Sequence, residues 1–338
     1  MKVAKLLPAI WLISCLGYAQ INDNSSPSHG LLWKISGNGL TKPSYLFGTY
    51  HAAGGAQILD TIPAIKSLIV STEQMVAETN FANALKSLIL KKNKIKSKSP
   101  DIFKPWPKAD STYAKLLSVS DKKQLESIVA KDKALAYLYK MNYRPFLLMS
   151  FYLRTKSRDS IRTDKKAIPE RDTTITILDF HLQRMAGKNN KPIAELETIA
   201  EHSAMNTQFF TNNKVAKISY KQEAEMLMNS IRNYAKIDSL KKVEKNRLLN
   251  LYLNQDIAEF SSMTVDKSSD FIDYDNESLT KKYMLLLIDK RNSLWVKKLP
   301  GLIQTKSSFI EVGVAHLPGE NGLISLLRKQ GYTVENVK

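Results

Sequence analysis

Gly48-Thr49-Tyr50-His51 and Gly313-Val314-Ala315-His316 are one Gly-x-x-His word written twice, 265 positions apart, in a chain with only five histidines. Each follows a run of aliphatic and aromatic residues, which predicts a strand ending at each word. Glycine at a strand end permits close backbone approach or a positive φ, so the chain can turn across the top of a sheet and aim an imidazole into a crevice. An imidazole so placed is suited to binding a metal ion. One such word alone reads more simply as a loop histidine capping a turn; the repetition argues for a pair acting together. Two histidines seldom complete a metal site, and the only cysteine, Cys15, lies in the N-terminal leader, so the remaining protein ligands would be Asp or Glu. Glu78 in MVAETN and Glu197 in IAELET both end apolar runs, although a solvated strand end also accommodates a carboxylate at little cost. Asp179, in ILDFHLQ, is a candidate acceptor for the second N–H of a ligating imidazole. His181 and His202 lie on helix-like segments without ligand spacing and read as surface or packing residues.

The elements that must carry these residues follow from periodicity and punctuation. LLWKIS and SYLFGTY flank GNGLTKP, a hairpin signal built on Asn38-Gly39. TIPAIKSLIVSTEQ has helical spacing with Pro63 near its start, and MVAETN is a short strand. From about 81 to 180 the pattern predicts a large helical insertion, including a helix opening at Ser120-Asp121 and running through QLESIVAKDKALAYLYK, and another behind Pro145. No glycine occurs between Gly55 and Gly187, which suits helices. TTITILDFHLQRMA predicts a helix stopping at Gly187, KPIAELET a further strand, and 199–262 more helices. The last eighty or so residues read as a long helical segment through RNSLWVKKLPGLI, a strand in SSFIEVGVAHLPG, a helix closed by Gly331 and a terminal strand in YTVENV. The fold class is therefore α+β: a central mixed sheet formed by the N- and C-terminal parts of the chain and covered by helices.

Residues 1–19 combine Lys2 and Lys5, an apolar run and Gly17-Tyr18-Ala19, the pattern of a secretory signal peptide. Residues 20–30 read as a flexible leader and 31–338 as a single domain. The localisation expected is exported, periplasmic or extracellular; Leu12-Ile13-Ser14-Cys15 also has the form of a lipobox, which would leave a lipid anchor on Cys15. Cleavage after Ala19 leaves 319 residues without cysteine, so stability must come from a core rather than from disulfides. The net charge of +18 falls to +16 without the two leader lysines, with KKNKIKSKS at 91–99 the densest patch. That run lacks the interleaved aromatics of base stacking, so no nucleic acid partner is expected; a solvated face that favours anionic envelope surfaces is.

The chain resembles the TraB/GumN family, which includes the Tiki-type metalloproteases, over about residues 31–337. The resemblance is carried by LLWKISGNGLTKPSYLFGTYHAA, MVAET, LDFHLQRMAGKNNKPIAELETIAEH, RNSLWVKKLP and FIEVGVAHLPGENGLISLLRKQGYTVE. It implies a sheet built from both chain ends, with a crevice where the Gly-x-x-His words meet. For the Tiki-type members it further implies peptide hydrolysis dependent on a divalent cation, here Mn, Co, Fe or Zn, held by His51, His316 and Glu78, with Glu197 facing the same crevice. Arg291 and Asn292 match a polar pair in the family's last helix, though a helix-surface pair beside Trp295 fits the residues equally well. In the mechanism so implied, Glu78 or Glu197 takes the proton of a metal-bound water and the other completes the metal shell. The partner expected is a peptide or protein substrate. The alternative is a non-catalytic metal- or peptide-binding envelope protein on the same fold, and a third reading is ester hydrolysis. No G-x-S-x-G nucleophile elbow or phosphate loop is present.

Overall fold

A computed structural model describes residues 27–51, 55–84, 86, 113–163, 177–212, 219–267 and 282–337. The expected signal peptide with Cys15, most of the leader and the 91–99 lysine run lie outside the described residues. The strands are β1 (Leu32–Gly37), β2 (Ser44–Thr49), β3 (Gln74–Ala77), β4 (Ile193–Glu195), β5 (Ser308–Gly313) and β6 (Tyr332–Asn336). They form one mixed sheet in the order β4-β3-β5-β2-β1-β6. β1 is antiparallel to both its neighbours, while β4, β3, β5 and β2 run parallel. The hairpin turns where Asn38-Gly39 predicts it, with φ of 46° and 82°, the region that favours asparagine and glycine.

The parallel group puts the C-terminal ends of four strands side by side: Thr49, Ala77, Glu195 and Gly313. In sheets of this kind ligands bind in the crevice beyond the carboxyl ends of the strands. β3 and β5 are buried along their whole length because helices cover both faces. Gln74 and Ser308, which pair in register, bond to each other, and Gln74 also bonds to Leu302 of the Arg291–Ile303 helix. The register partners Ala77 and Glu311 face the opposite way, toward the Leu178–Lys188 helix, whose Gln183 bonds to Glu311. Because side chains alternate along a strand, each helix addresses a defined set of residues at the strand ends. The main core between these layers includes Phe47, Phe309, Ile310, Trp295 and Tyr252.

The insertion is helical where it is described. The single helix expected from Ser120 onward is two, Val119–Val129 and Lys133–Lys140, because Asp132 accepts from the N–H groups of Ala134 and Leu135 and so starts a second helix. The cap of the first is Ser118. These helices, Pro145–Thr163 and Tyr220–Arg232 pack a second core of Tyr113, Leu125, Leu135, Leu148, Leu227 and neighbours, bridged by an ion pair between partly buried Arg144 and buried Glu223. The Tyr234–Leu253 helix joins the two cores, with Tyr234 packed on the second and Tyr252 in the first. The helix expected over TTITILDFHLQRMA starts at Leu178 and runs to Lys188; residues 173–176 lie outside the described residues. Residues 27–30, expected in the flexible leader, are pinned: Ser28 O accepts from Ile257, Gly30 N–H donates to Gln255 O, and Asn336 bonds to His29 O. No helix of the described residues is long and apolar enough to cross a membrane.

Candidate functional site

The site straddles the end of the sheet. On the face of the Leu178–Lys188 helix, Thr49 Oγ1 donates to Asp179 Oδ1 at 2.6 Å, and Asp179 Oδ2 accepts from His51 Nδ1 at 2.8 Å. Asp179 is buried, whereas the His51 side chain is 57% exposed. Nδ1 therefore carries a proton and Nε2 is left open. Burial pulls the imidazolium pKa down, but the hydrogen bond and charge of Asp179, with Glu78 behind it, lift it to about 8.

On the other face the hub is Arg291, 8% exposed, with each of its three guanidinium nitrogens hydrogen-bonded. Nε donates to both oxygens of Glu197, at 3.0 and 3.2 Å, and Nη2 donates to Glu78 Oε2 at 2.7 Å and lies 2.8 Å from Glu197 Oε1 as an ion pair. Nη1 donates to Leu287 O at 3.3 Å and to His316 Nε2 at 3.1 Å. The guanidinium also lies 4.4 Å from the Trp295 ring centroid, one helical turn on. A five-residue π-helical segment, Leu286–Lys290, precedes it. There the Arg291 backbone N–H turns to Ile288 O, and Leu287 O receives the guanidinium.

His316 is fixed as the neutral tautomer with its proton on Nδ1. Asn292 Nδ2 donates to the carbonyls of His316 and Asn321, so its Oδ1 is the acceptor facing His316 Nδ1 at 2.7 Å. Burial pushes the His316 pKa down to about 3, against the pull of Glu78 and with the help of Arg291. For Glu78, burial alone would raise the carboxyl, yet His316 when charged, then Arg291, His51 and the Gly313 N–H at 2.5 Å hold it down at about 2. At neutral pH, where His316 is uncharged, Arg291 is the buried cation that remains beside it.

Both glycines of the repeated word serve close approach and not a positive φ. A Cβ on Gly48 would meet Leu317 Cδ1 at 2.7 Å and Val314 Cα at 3.1 Å. A Cβ on Gly313 would lie 3.1 Å from His51 Nε2, 3.3 Å from Glu78 Oε1 and 3.6 Å from His316 Cδ2, so the space it leaves is where both histidines and Glu78 converge. The donor types there suit a divalent cation, and each imidazole has its Nδ1 proton held by an acceptor, as in ligating histidines. Against this, His316 Nε2 already accepts from Arg291, which would have to let go for His316 to ligate. Among the described residues no group of three or more His, Cys, Asp or Glu has metal-site spacing.

His51, His316, Glu78, Glu197, Arg291 and Asn292 thus meet at one place, and Gly48 and Gly313 make room for it. Sequence reasoning missed Thr49, Tyr252, whose hydroxyl donates to Gly48 O at 3.0 Å, and His202, read as a surface or packing residue. His202 Nδ1 bonds to Glu197 Oε1 at 3.0 Å, and its place five residues after an already suspected acid was the available signal. His181 shows no bond to these residues. The TraB/PrgY/gumN family matches residues 31–336, and the chain belongs to that family. No curated protein and no solved structure matches the chain.

Proposed function

We propose that this TraB/PrgY/gumN-family chain is a hydrolase in which His51 activates the attacking water, with peptides as the substrate class. The observation that carries the reading is the Thr49–Asp179–His51 chain of hydrogen bonds, which leaves an open Nε2 on the rim of a crevice. A base works best with a pKa near the working pH, and His51, at about 8, meets that condition. Glu78, held at about 2, does not, and each carboxylate oxygen of Glu78 and of Glu197 already has a donor. In the proposed step, His51 Nε2 takes a proton from water as the oxygen adds to the scissile carbonyl carbon. The same proton then passes to the leaving amine, and Asp179 stabilises the imidazolium between the two transfers. Arg291 holds Glu78, Glu197 and His316 in place. The peptide substrate rests on the resemblance to Tiki-type metalloproteases, and an exported location on residues 1–19.

A divalent cation is the second reading, favoured by the two imidazoles with fixed Nδ1 protons around the space beside Gly313. His51, His316 and Glu78 would hold it, and it would supply carbonyl polarisation and a more acidic water. The test is incubation of purified protein with a peptide library, with and without chelator, products being read by mass spectrometry alongside metal analysis. Cleavage that resists chelator and is lost in His51→Ala supports the first reading. Chelator-sensitive cleavage, with metal lost from both His51→Ala and His316→Ala, supports the second. Binding of metal or peptide without turnover would move the chain to the non-catalytic envelope proteins.

A further inference from the structure

Glu311 lies in the middle of β5, 1% exposed, in a strand buried along its whole length. Among the described residues its carboxyl has one hydrogen bond, from a side chain that cannot turn round. Gln183 Oε1 accepts from the backbone N–H of Phe81 at 3.0 Å, and Gln183 Nε2 donates to Thr79 O at 3.0 Å and to Glu311 Oε1 at 2.7 Å. Glu311 Oε1 is therefore an acceptor. Glu311 Oε2 is buried and, among the described residues, has no partner. A buried carboxylate needs a cation or several donors, and one amide N–H is neither.

We infer that Glu311 is held as the neutral carboxylic acid, with its proton on Oε2, and that in this form it anchors the loop carrying Glu78. The line of contact runs from β5 through Glu311 and Gln183 to Thr79 and Phe81, within three residues after Glu78. An ionised Glu311 would add a further buried negative charge beside Asp179 on the helix and Glu78 at the end of β3. Burial, then Asp179, push its carboxyl well above the usual carboxylate range, Glu78 adds to this, and the Gln183 hydrogen bond opposes it. Glu311 is a positioning residue, since it touches neither imidazole of the site.

The consequence is a proton taken up on folding. An acid neutral in the fold but ionised when unfolded lowers stability as pH rises above its ordinary value of 4.5, until it ionises in the fold. Glu311→Gln keeps the acceptor for Gln183 and cannot ionise. Its folding constant relative to wild type, from urea unfolding followed by circular dichroism, is expected to grow by about tenfold per pH unit as pH rises above 4.5, until Glu311 ionises in the fold. The ¹³C resonance of the Glu311 carboxyl, assigned by its loss in Glu311→Gln, is expected to keep its protonated position at neutral pH. A variant to wild-type ratio that is constant or falls with pH overturns the inference, as does a carboxylate resonance for Glu311. If Glu311→Gln folds poorly, glutamate-labelled wild type still decides: one glutamate carboxyl protonated at neutral pH supports the inference, and none overturns it.

Discussion

Replacing Arg291 with methionine keeps much of the stem that packs on Trp295 and removes the charge with its five N–H donors. Glu78 and Glu197 are then buried without their cation, and His316 Nε2 loses its donor. The Glu78 side chain is 17% exposed, and its carboxyl lies at about 2 against an ordinary 4.5. At 1.36 kcal/mol per pH unit that difference corresponds to roughly 3 kcal/mol, shared among charged His316, Arg291, His51 and the Gly313 N–H, so Arg291 carries a part of it. Breaking a buried pair by deleting one partner costs about 3–5 kcal/mol, which sets the scale expected for Arg291→Met. At about 2–4 °C per kcal/mol, the melting temperature should fall by roughly 10 °C at pH 7. A depressed carboxyl contributes stability that is complete above 4.5 and lost as pH falls through its folded value near 2. The gap between wild type and Arg291→Met should therefore be widest at neutral pH and narrow on acidification below 4.5. Thermal and urea unfolding at pH 7 and at about pH 3 measure both quantities, and Glu78→Gln in the Arg291→Met background should restore part of the loss. A gap under about 1 kcal/mol at pH 7, or one of the same size at both pH values, would refute the account of Arg291 as the buried counter-ion of the site.

Asp179→Asn should move the NMR titration of His51 from about 8 to near or below 6.5, since the lifting charge is gone while burial remains, and should lower any peptide turnover about 10²-fold or more. Gly313→Ala should leave the melting temperature within a few degrees, because exposed His51 can shift away from a Cβ 3.1 Å from Nε2, but should lower turnover at least about tenfold, as measured by the cleavage assay. Tyr252→Phe leaves Gly48 O without its hydroxyl donor inside the core and should cost about 1–2 kcal/mol by urea unfolding.

The sheet and the gathering of the site were readable because both rest on local signals. Asn38-Gly39 encodes its own turn, and acids or histidines that follow short apolar runs land at strand ends whatever the strand order. Register then does the rest: residue 49 faces the Asp179 helix and residue 78 the Arg291 helix, an alternation set by the period of two. Pairing across 128 positions is a different matter. Nothing local says that Asp179 bonds to His51 rather than to a nearer imidazole such as His181, or that Arg291 would occupy the lone pair of His316. The π-helical segment before Arg291 has no periodic signature, since Leu286 to Lys290 fit an ordinary helix equally well. Glu311 was visible in principle, as an acid inside Phe309-Ile310-Glu311-Val312 with no cationic neighbour in sequence.

The placement of β5 between β2 and β3 has a consequence for the timing of synthesis. The strand that joins the N-terminal pieces of the sheet begins at Ser308, long after β3 ends at Ala77, so while the intervening residues are made β2 and β3 have no common neighbour. Contacts of such long sequence separation form late, because the loop must close before they reward it. His51 and Glu78 therefore exist for some time as isolated side chains on an open edge, without the Gly313 N–H, Arg291 or His316. A nascent or truncated chain ending before residue 308 lacks the Gly313 N–H and His316, so the site is assembled only when β5 docks between β2 and β3.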